Sequence, residues 1–271
     1  MTFDPAYGHF QGAGGSARGF APAQGASAGS SPPTEGLRNW WKWEDDGTWT
    51  DSVTSTNYWT ENNFGDQQAT GKIGYSIDFE RTGGYAGAYL SYTGDDLDWG
   101  HDSEAAPYAG DLPFTFFSWV YPEDDTTFPR AKIFFHYNTG FYYGCGTGAS
   151  AMRLHLSVYL GGWGTASQVT SRDLVADEWN CIYGRYQPAY GTGDNTARYH
   201  CGIIHAGTLY QATETTQVNG FKGGTGDVRV SYPGYDASCR QDCCGFYTRQ
   251  LTDDELLDLY NATNSGTDYP F

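Results

Sequence analysis

From Leu37 onward the chain is built of short segments in which large apolar side chains alternate with polar ones. Clusters of Gly, Asn, Asp and Pro separate these segments. FTFFSWVYP at 114–122 and ARYHCGIIHA at 197–206 are representative. A period of two puts every second side chain on one face of a β-strand, so each segment has a face to bury and none can bury it alone. Many such strands with frequent turn signals predict an all-β, two-sheet antiparallel sandwich. The expected strands are NWWKWE, KIGYSIDFE, AYLSYT, FTFFSWVYP, AKIFFHYN, RLHLSVYL, EWNCIYGRYQ, ARYHCGIIHA, DVRVSY and CCGFYTR. The 22 Tyr, 15 Phe and 9 Trp support this, because aromatic side chains favour strands.

One segment breaks the period. LTDDELLDLYNAT at 251–263 carries Leu256, Leu259 and Tyr260 at helical spacing. Thr252 is placed to cap it, Glu255 completes a capping box, and Asp253 and Asp254 suit the positive end of the helix dipole. Residues 1–36 differ again: Gly, Ala, Ser and Pro dominate, a composition that cannot bury enough surface to fold by itself. The expected organisation is an extended N-terminal arm, 1–36, and a sandwich domain, 37–271. Phe3, Tyr7, Phe10 and Phe20 are the arm's candidate apolar anchors on a neighbouring subunit.

With 15 Lys and Arg against 32 Asp and Glu, the net charge is −17. Phosphate backbones and anionic membrane surfaces are repelled by such a chain, so nucleic acid and membrane are not expected partners. No apolar run reaches the roughly 18 residues of a membrane span, and the start MTFDPAYGHFQGAGG lacks the pattern of a secretory leader.

Six cysteines leave two readings open, disulfides or buried free thiols: Cys145, Cys181, Cys201, Cys239, Cys243 and Cys244. Cys181 and Cys201 are the best candidate pair, since a hairpin turning near Gly191 would set them opposite each other. CRQDCC at 239–244 reads as a disulfide-tied loop, with a zinc half-site as the lesser reading because no second cysteine pair is spaced to complete it.

The segments NWWKWEDDGTWTDSVTSTN, GKIGYSIDFE, LPFTFFSWVYP, LVADEWNCIYGRY and FYTRQLTDDELLDLY occur in this order. Together they resemble the laminin-G-like jelly-roll domains of the concanavalin A-like lectin/glucanase superfamily, over about residues 38–262. The resemblance implies a jelly-roll sandwich whose surface binds sugars or proteins in some members. It places Trp41 and Trp43 at buried aromatic positions and leaves Trp40, on the other side of the strand, as the candidate for stacking on a glycan. Some members bind calcium through loop carboxylates, which makes Asp45, Asp46 and Asp51 weak calcium candidates. GIIHAG carries Ala206 where the family often has Asp or Asn, so any polar role there is lost.

Catalytic motifs are missing. The E-x-D-x-(x)-E strand motif of the superfamily's glucanases is absent; Glu44 with Asp46, and PEDDT at 122–126, are the nearest approaches. GCGTGAS at 144–150 lacks the Lys-Ser/Thr ending of a phosphate-binding loop and reads as a hairpin turn. No catalytic residue and no cofactor is therefore expected.

The expectation is a non-enzymatic structural protein of a bacteriophage virion, a capsid decoration or a tail or fibre component. Its arm would bind other virion subunits or a second copy of itself, and its lectin-like domain would face outward towards host glycans. The alternative is a carbohydrate-binding module or adhesin, extracellular or on a cell surface. A diverged glycoside hydrolase is a lesser reading.

Overall fold

The computed structural model describes residues 31–44, 49–56, 59–62, 68–79, 89–92, 113–123, 131–136, 139–144, 152–157, 167–189, 196–218, 228–230, 239–266 and 269–271. Phe3, Tyr7, Phe10, Phe20, Asp45, Asp46 and Cys145 lie outside these residues.

Among the described residues the strands are β1 (Leu37–Trp41), β2 (Trp59–Asn62), β3 (Gln68–Thr70), β4 (Tyr75–Phe79), β5 (Tyr89–Tyr92), β6 (Phe114–Pro122), β7 (Ala131–His136) and β8 (Thr139–Gly144). They continue as β9 (Arg153–Ser157), β10 (Ser167–Gln168), β11 (Asn180–Gln187), β12 (Thr196–His205), β13 (Thr208–Gln211), β14 (Thr215–Val218), β15 (Val228–Val230) and β16 (Cys239–Tyr247). The helix is α1 (Asp253–Asn264). The strands form two sheets. The larger runs β13-β12-β11-β6-β16-β4-β3, with β1 beside β16 and β14 beside β12; the smaller runs β10-β9-β8-β7-β15-β5-β2. Every pairing is antiparallel, as the alternation predicts.

The main core lies between the sheets. Ile77, Phe79, Phe114, Phe116, Ile182, Tyr186, Tyr199 and Phe246 of the larger sheet meet Trp59, Leu90, Tyr92, Leu154, Leu156 and Val230 of the smaller. Trp41, Trp43, Trp49 and Trp59 form an aromatic nest within it, with ring centroids 5.3 to 6.1 Å apart. Trp41 and Trp43 thus occupy the buried positions expected of them. Trp43 reaches there with a positive φ of 58° and donates its indole N–H to Cys244 Sγ at 3.2 Å.

A second core covers the outer face of the larger sheet. Trp40, Phe117, Trp119, Cys181, Tyr183, Ile204, Cys243 and Tyr247 pack there under Leu251, Leu256, Leu259 and Tyr260. The helix forms as expected: Thr252 Oγ1 accepts from the Glu255 amide, the Glu255 carboxylate accepts from the Thr252 amide, and Leu256, Leu259 and Tyr260 are buried.

This second core corrects the expectation for Trp40. Its ring is fully buried, stacked near Phe117 and met edge-on by Phe271 at 5.0 Å. A side chain at Gly245 would collide with it, since a Cβ there would stand 2.6 Å from the ring. Trp40 is therefore a core residue and not a stacking surface, because the outer face is closed over it by the C-terminal residues.

The cysteine expectations are corrected too. Cys181, Cys201, Cys239, Cys243 and Cys244 are all buried free thiols. The β11–β12 register sets Cys181 opposite Ile204 and Cys201 opposite Gly184. The shift is an odd number of residues, so the two cysteines fall on opposite faces, Cys201 in the main core and Cys181 in the outer one. CRQDCC is not a loop but the first part of β16, and a bulge between Asp242 and Gly245 sends Cys243 outward and Cys244 inward. Cys243 thus faces away from Cys239 and Cys244, and the three thiols do not gather around one ion.

Candidate functional site

Polar side chains within the outer face gather at the two ends of α1. At the N-terminal end, β11 supplies Tyr183 and Arg185, β12 supplies His200, β13 supplies Gln211, and Asp253 opens the helix. Alternation on β11 puts Tyr183 and Arg185 on the same face, and the register places His200 directly across from Arg185. Tyr183 lies flat over β12 because residue 202 is glycine; a Cβ there would stand 2.3 Å from the phenol oxygen.

Arg185 is 7% exposed. Its Nη1 donates to Asp253 Oδ1 at 2.7 Å, and Gln211 Nε2 donates to the same oxygen at 3.0 Å. The guanidinium also lies 5.3 Å from the centre of the Tyr183 ring, and the His200 ring meets that ring edge-on at 6.3 Å. Four polar atoms of this cluster are buried without a hydrogen-bond partner: Arg185 Nε, Arg185 Nη2, Tyr183 Oη and His200 Nε2. A buried donor left unmatched costs about 1–3 kcal/mol, and more when charged. Burial and then the nearby guanidinium hold His200 down to about 4, so it is neutral near pH 7. Burial pushes the Tyr183 hydroxyl well above its ordinary range. The cluster thus offers neutral donors and acceptors around one cation, with Asp253 and Gln211 exposed at its rim.

At the other end of α1, Tyr269 Oη lies among acceptors. It contacts the Glu44 carboxylate, Lys42 O at 3.0 Å, Ile73 O at 2.9 Å and Asp242 Oδ1 at 3.3 Å. Asp242 also accepts from the amides of Ile73 and Cys243. Burial raises its carboxyl to about 7, against the pull of those amides. Tyr269 is pushed far up by burial and by Asp242, which opposes any role as a phenolate nucleophile.

Of the calcium candidates, Asp51 is described, and it is a structural residue. Both of its oxygens hold donors: Oδ1 accepts from the amides of Trp40 and Val53, and Oδ2 accepts from Asn39 Nδ2 and Thr54 Oγ1. It fastens the loop after β1 to that strand and has no lone pairs turned to a cation. Among the described residues no three His, Cys, Asp or Glu side chains gather to hold a metal, and no helix is long and apolar enough to cross a membrane.

No protein-family profile and no curated protein sequence matches the chain. Solved structures do. The binding domain of Paraclostridial mosquitocidal protein 1 superposes with a TM-score of 0.57 at 12% identity, over 83% of this chain and 52% of that one. Domain 4 of AbnA, a GH43 extracellular arabinanase from Geobacillus stearothermophilus, in complex with arabinotriose, gives 0.54 at 15% identity, over 82% and 97%. The shared fold is an antiparallel two-sheet β-sandwich. A mutant of Trypanosoma rangeli sialidase displaying trans-sialidase activity gives 0.56 at 12% identity, over 89% of this chain and 35% of that one. The chain spans about half of the mosquitocidal binding domain and about a third of the sialidase. At these identities the shared property is the fold.

Sequence reasoning missed Arg185, His200 and Gln211. The signal was present in EWNCIYGRYQ, an arginine two residues from a tyrosine and so on the same face of the strand, but its partners appear only once the register is known.

Proposed function

We propose that this protein is a non-enzymatic, lectin-like recognition domain that binds a glycan at the Arg185 cluster. The observation that carries the reading is the set of four unmatched polar atoms around one guanidinium, within a fold also adopted by a domain solved in complex with arabinotriose. Sugar sites set a few fixed polar groups among apolar and aromatic side chains, and here Arg185 and His200 are polar groups held beside the buried Tyr183 ring. Binding without turnover fits the carboxylates: Glu44 is committed to the Tyr75 amide and Tyr269, and Asp242 to two amides. The test is retention of the full chain on an array of neutral and acidic oligosaccharides, with reducing ends assayed in parallel. Specific retention without release of reducing ends is expected. Retention of no glycan, or hydrolysis of one, overturns the reading.

A second reading is assembly of the domain onto a virion through its arm, whose last residues are tied to the end of β16. Tyr247 Oη donates to Pro33 O at 3.1 Å, Arg249 Nε to Glu35 O at 2.8 Å, and the Thr248 amide to Gly36 O at 2.8 Å. A variant lacking residues 1–30 should lose incorporation into particles and keep glycan binding; full incorporation would refute the role of the arm.

A further inference from the structure

Resting on the reading of the Arg185 cluster as a ligand site, the geometry points to a carboxylate-bearing sugar, of the uronic acid class, as its ligand. One edge of the Arg185 guanidinium is left over. A guanidinium presents Nε–H and Nη2–H side by side on one edge, two parallel donors at the spacing of a carboxylate's oxygens. Arg185 spends Nη1 on Asp253 and keeps this whole edge unmatched while 93% buried. No other arginine among the described residues leaves both of these nitrogens buried and unmatched.

Charge narrows the ligand further. One guanidinium faces one Asp253 carboxylate, and His200 across the strand is neutral near pH 7. Among the described residues Arg198, two positions from His200 on the same face of β12, is engaged by Glu214, and a carboxylate, a single charge in a planar group, matches one guanidinium edge better than a phosphate dianion does. The remaining unmatched atoms, Tyr183 Oη and His200 Nε2, suit hydroxyl groups, which donate and accept alike. A uronic acid carries both parts in one ring. Asp253 competes for the same guanidinium from the exposed rim, so it limits affinity for an anionic ligand and favours release.

The experiment titrates the full chain with methyl glucuronide, methyl glucoside and methyl glucoside 6-sulfate, and with the galacto series of each, by NMR and calorimetry. The expected result is at least tenfold tighter binding of a uronide than of its neutral and sulfated counterparts. Arg185→Lys keeps a positive charge but loses the fork, and should cost the uronide at least tenfold, several times more than it costs the neutral glycoside. Asp253→Asn should strengthen uronide binding by two- to tenfold, a gain that a purely structural ion pair would not give. Thermal unfolding of each variant checks that it is folded. Equal binding of uronide and glucoside overturns this inference and leaves the glycan-binding reading standing; so does a preference for the sulfate. If no sugar binds here and none is retained on the array, both fall.

Discussion

The indole N–H of Trp119 donates to Thr263 Oγ1 at 2.8 Å, joining the middle of β6 to the last turn of α1 inside the outer core. Thr263 in turn donates to the Leu259 carbonyl at 2.8 Å, and the Trp119 ring stacks near Tyr260 at 5.5 Å. Thr263→Val keeps the shape and leaves the indole donor buried without an acceptor, at a cost of about 1–3 kcal/mol. Urea denaturation should show a lower midpoint with an unchanged slope. An unchanged midpoint would mean that the bond does not hold the helix down.

Ala206 and Gly207 form the two-residue turn between β12 and β13, with φ of 49° and 72°. Such turns favour Asn-Gly, and a left-handed conformation costs an L-residue such as alanine roughly 1–2 kcal/mol. Ala206→Asn should therefore raise stability, by about 0.5–1 kcal/mol in thermal or urea melts. A loss of stability would show that the turn is not as described.

The sequence carried the sandwich and the helix because both rest on local signals. Alternation in FTFFSWVYP marks which residues enter the main core, and Thr252 with Glu255 marks where the helix starts. What stayed hidden depends on relationships between segments. The displaced β11–β12 register separates Cys181 from Cys201, and the same register brings His200 to Arg185. Trp40 looked exposed because nothing in NWWKWE announces that Phe271, more than two hundred residues away, closes over it.

Asp242 gives the fold a distinct pH dependence. Burial, the largest cause, raises its carboxyl to about 7 in the folded state. A carboxyl raised on folding contributes stability that is complete below its unfolded value near 4 and is lost as pH rises through about 7. Among the described residues the ionisable groups that interact with it are Glu44, Tyr269, Lys72, Cys243 and Cys244. Between pH 5 and pH 8 the wild type should lose on the order of 1–3 kcal/mol that Asp242→Asn, less stable at low pH because an amide cannot accept both backbone bonds, does not lose. Urea midpoints at the two pH values check this, and parallel slopes for the two proteins would contradict it.

The five described cysteines should resist chemistry in the folded state. Burial holds Cys201 and Cys244 up at about 12 and pushes Cys181 and Cys243 well above the ordinary thiol range, so the reactive thiolate is scarce. Iodoacetamide should label peptides carrying Cys181, Cys201, Cys239, Cys243 and Cys244 only after denaturation, as read by mass spectrometry. Disulfide-linked peptides among these five in the non-reduced protein would contradict the free thiols.

If Arg185 receives a sugar acid, its own Nε–H signal in a nitrogen-15 spectrum reports the event while methyl glucuronide or methyl galacturonide is added. The signal should move downfield as a carboxylate oxygen becomes its acceptor, and saturate at the dissociation constant found by calorimetry. Saturable binding with the Arg185 signal unmoved and shifts gathered elsewhere would place the ligand away from Arg185 and refute its role.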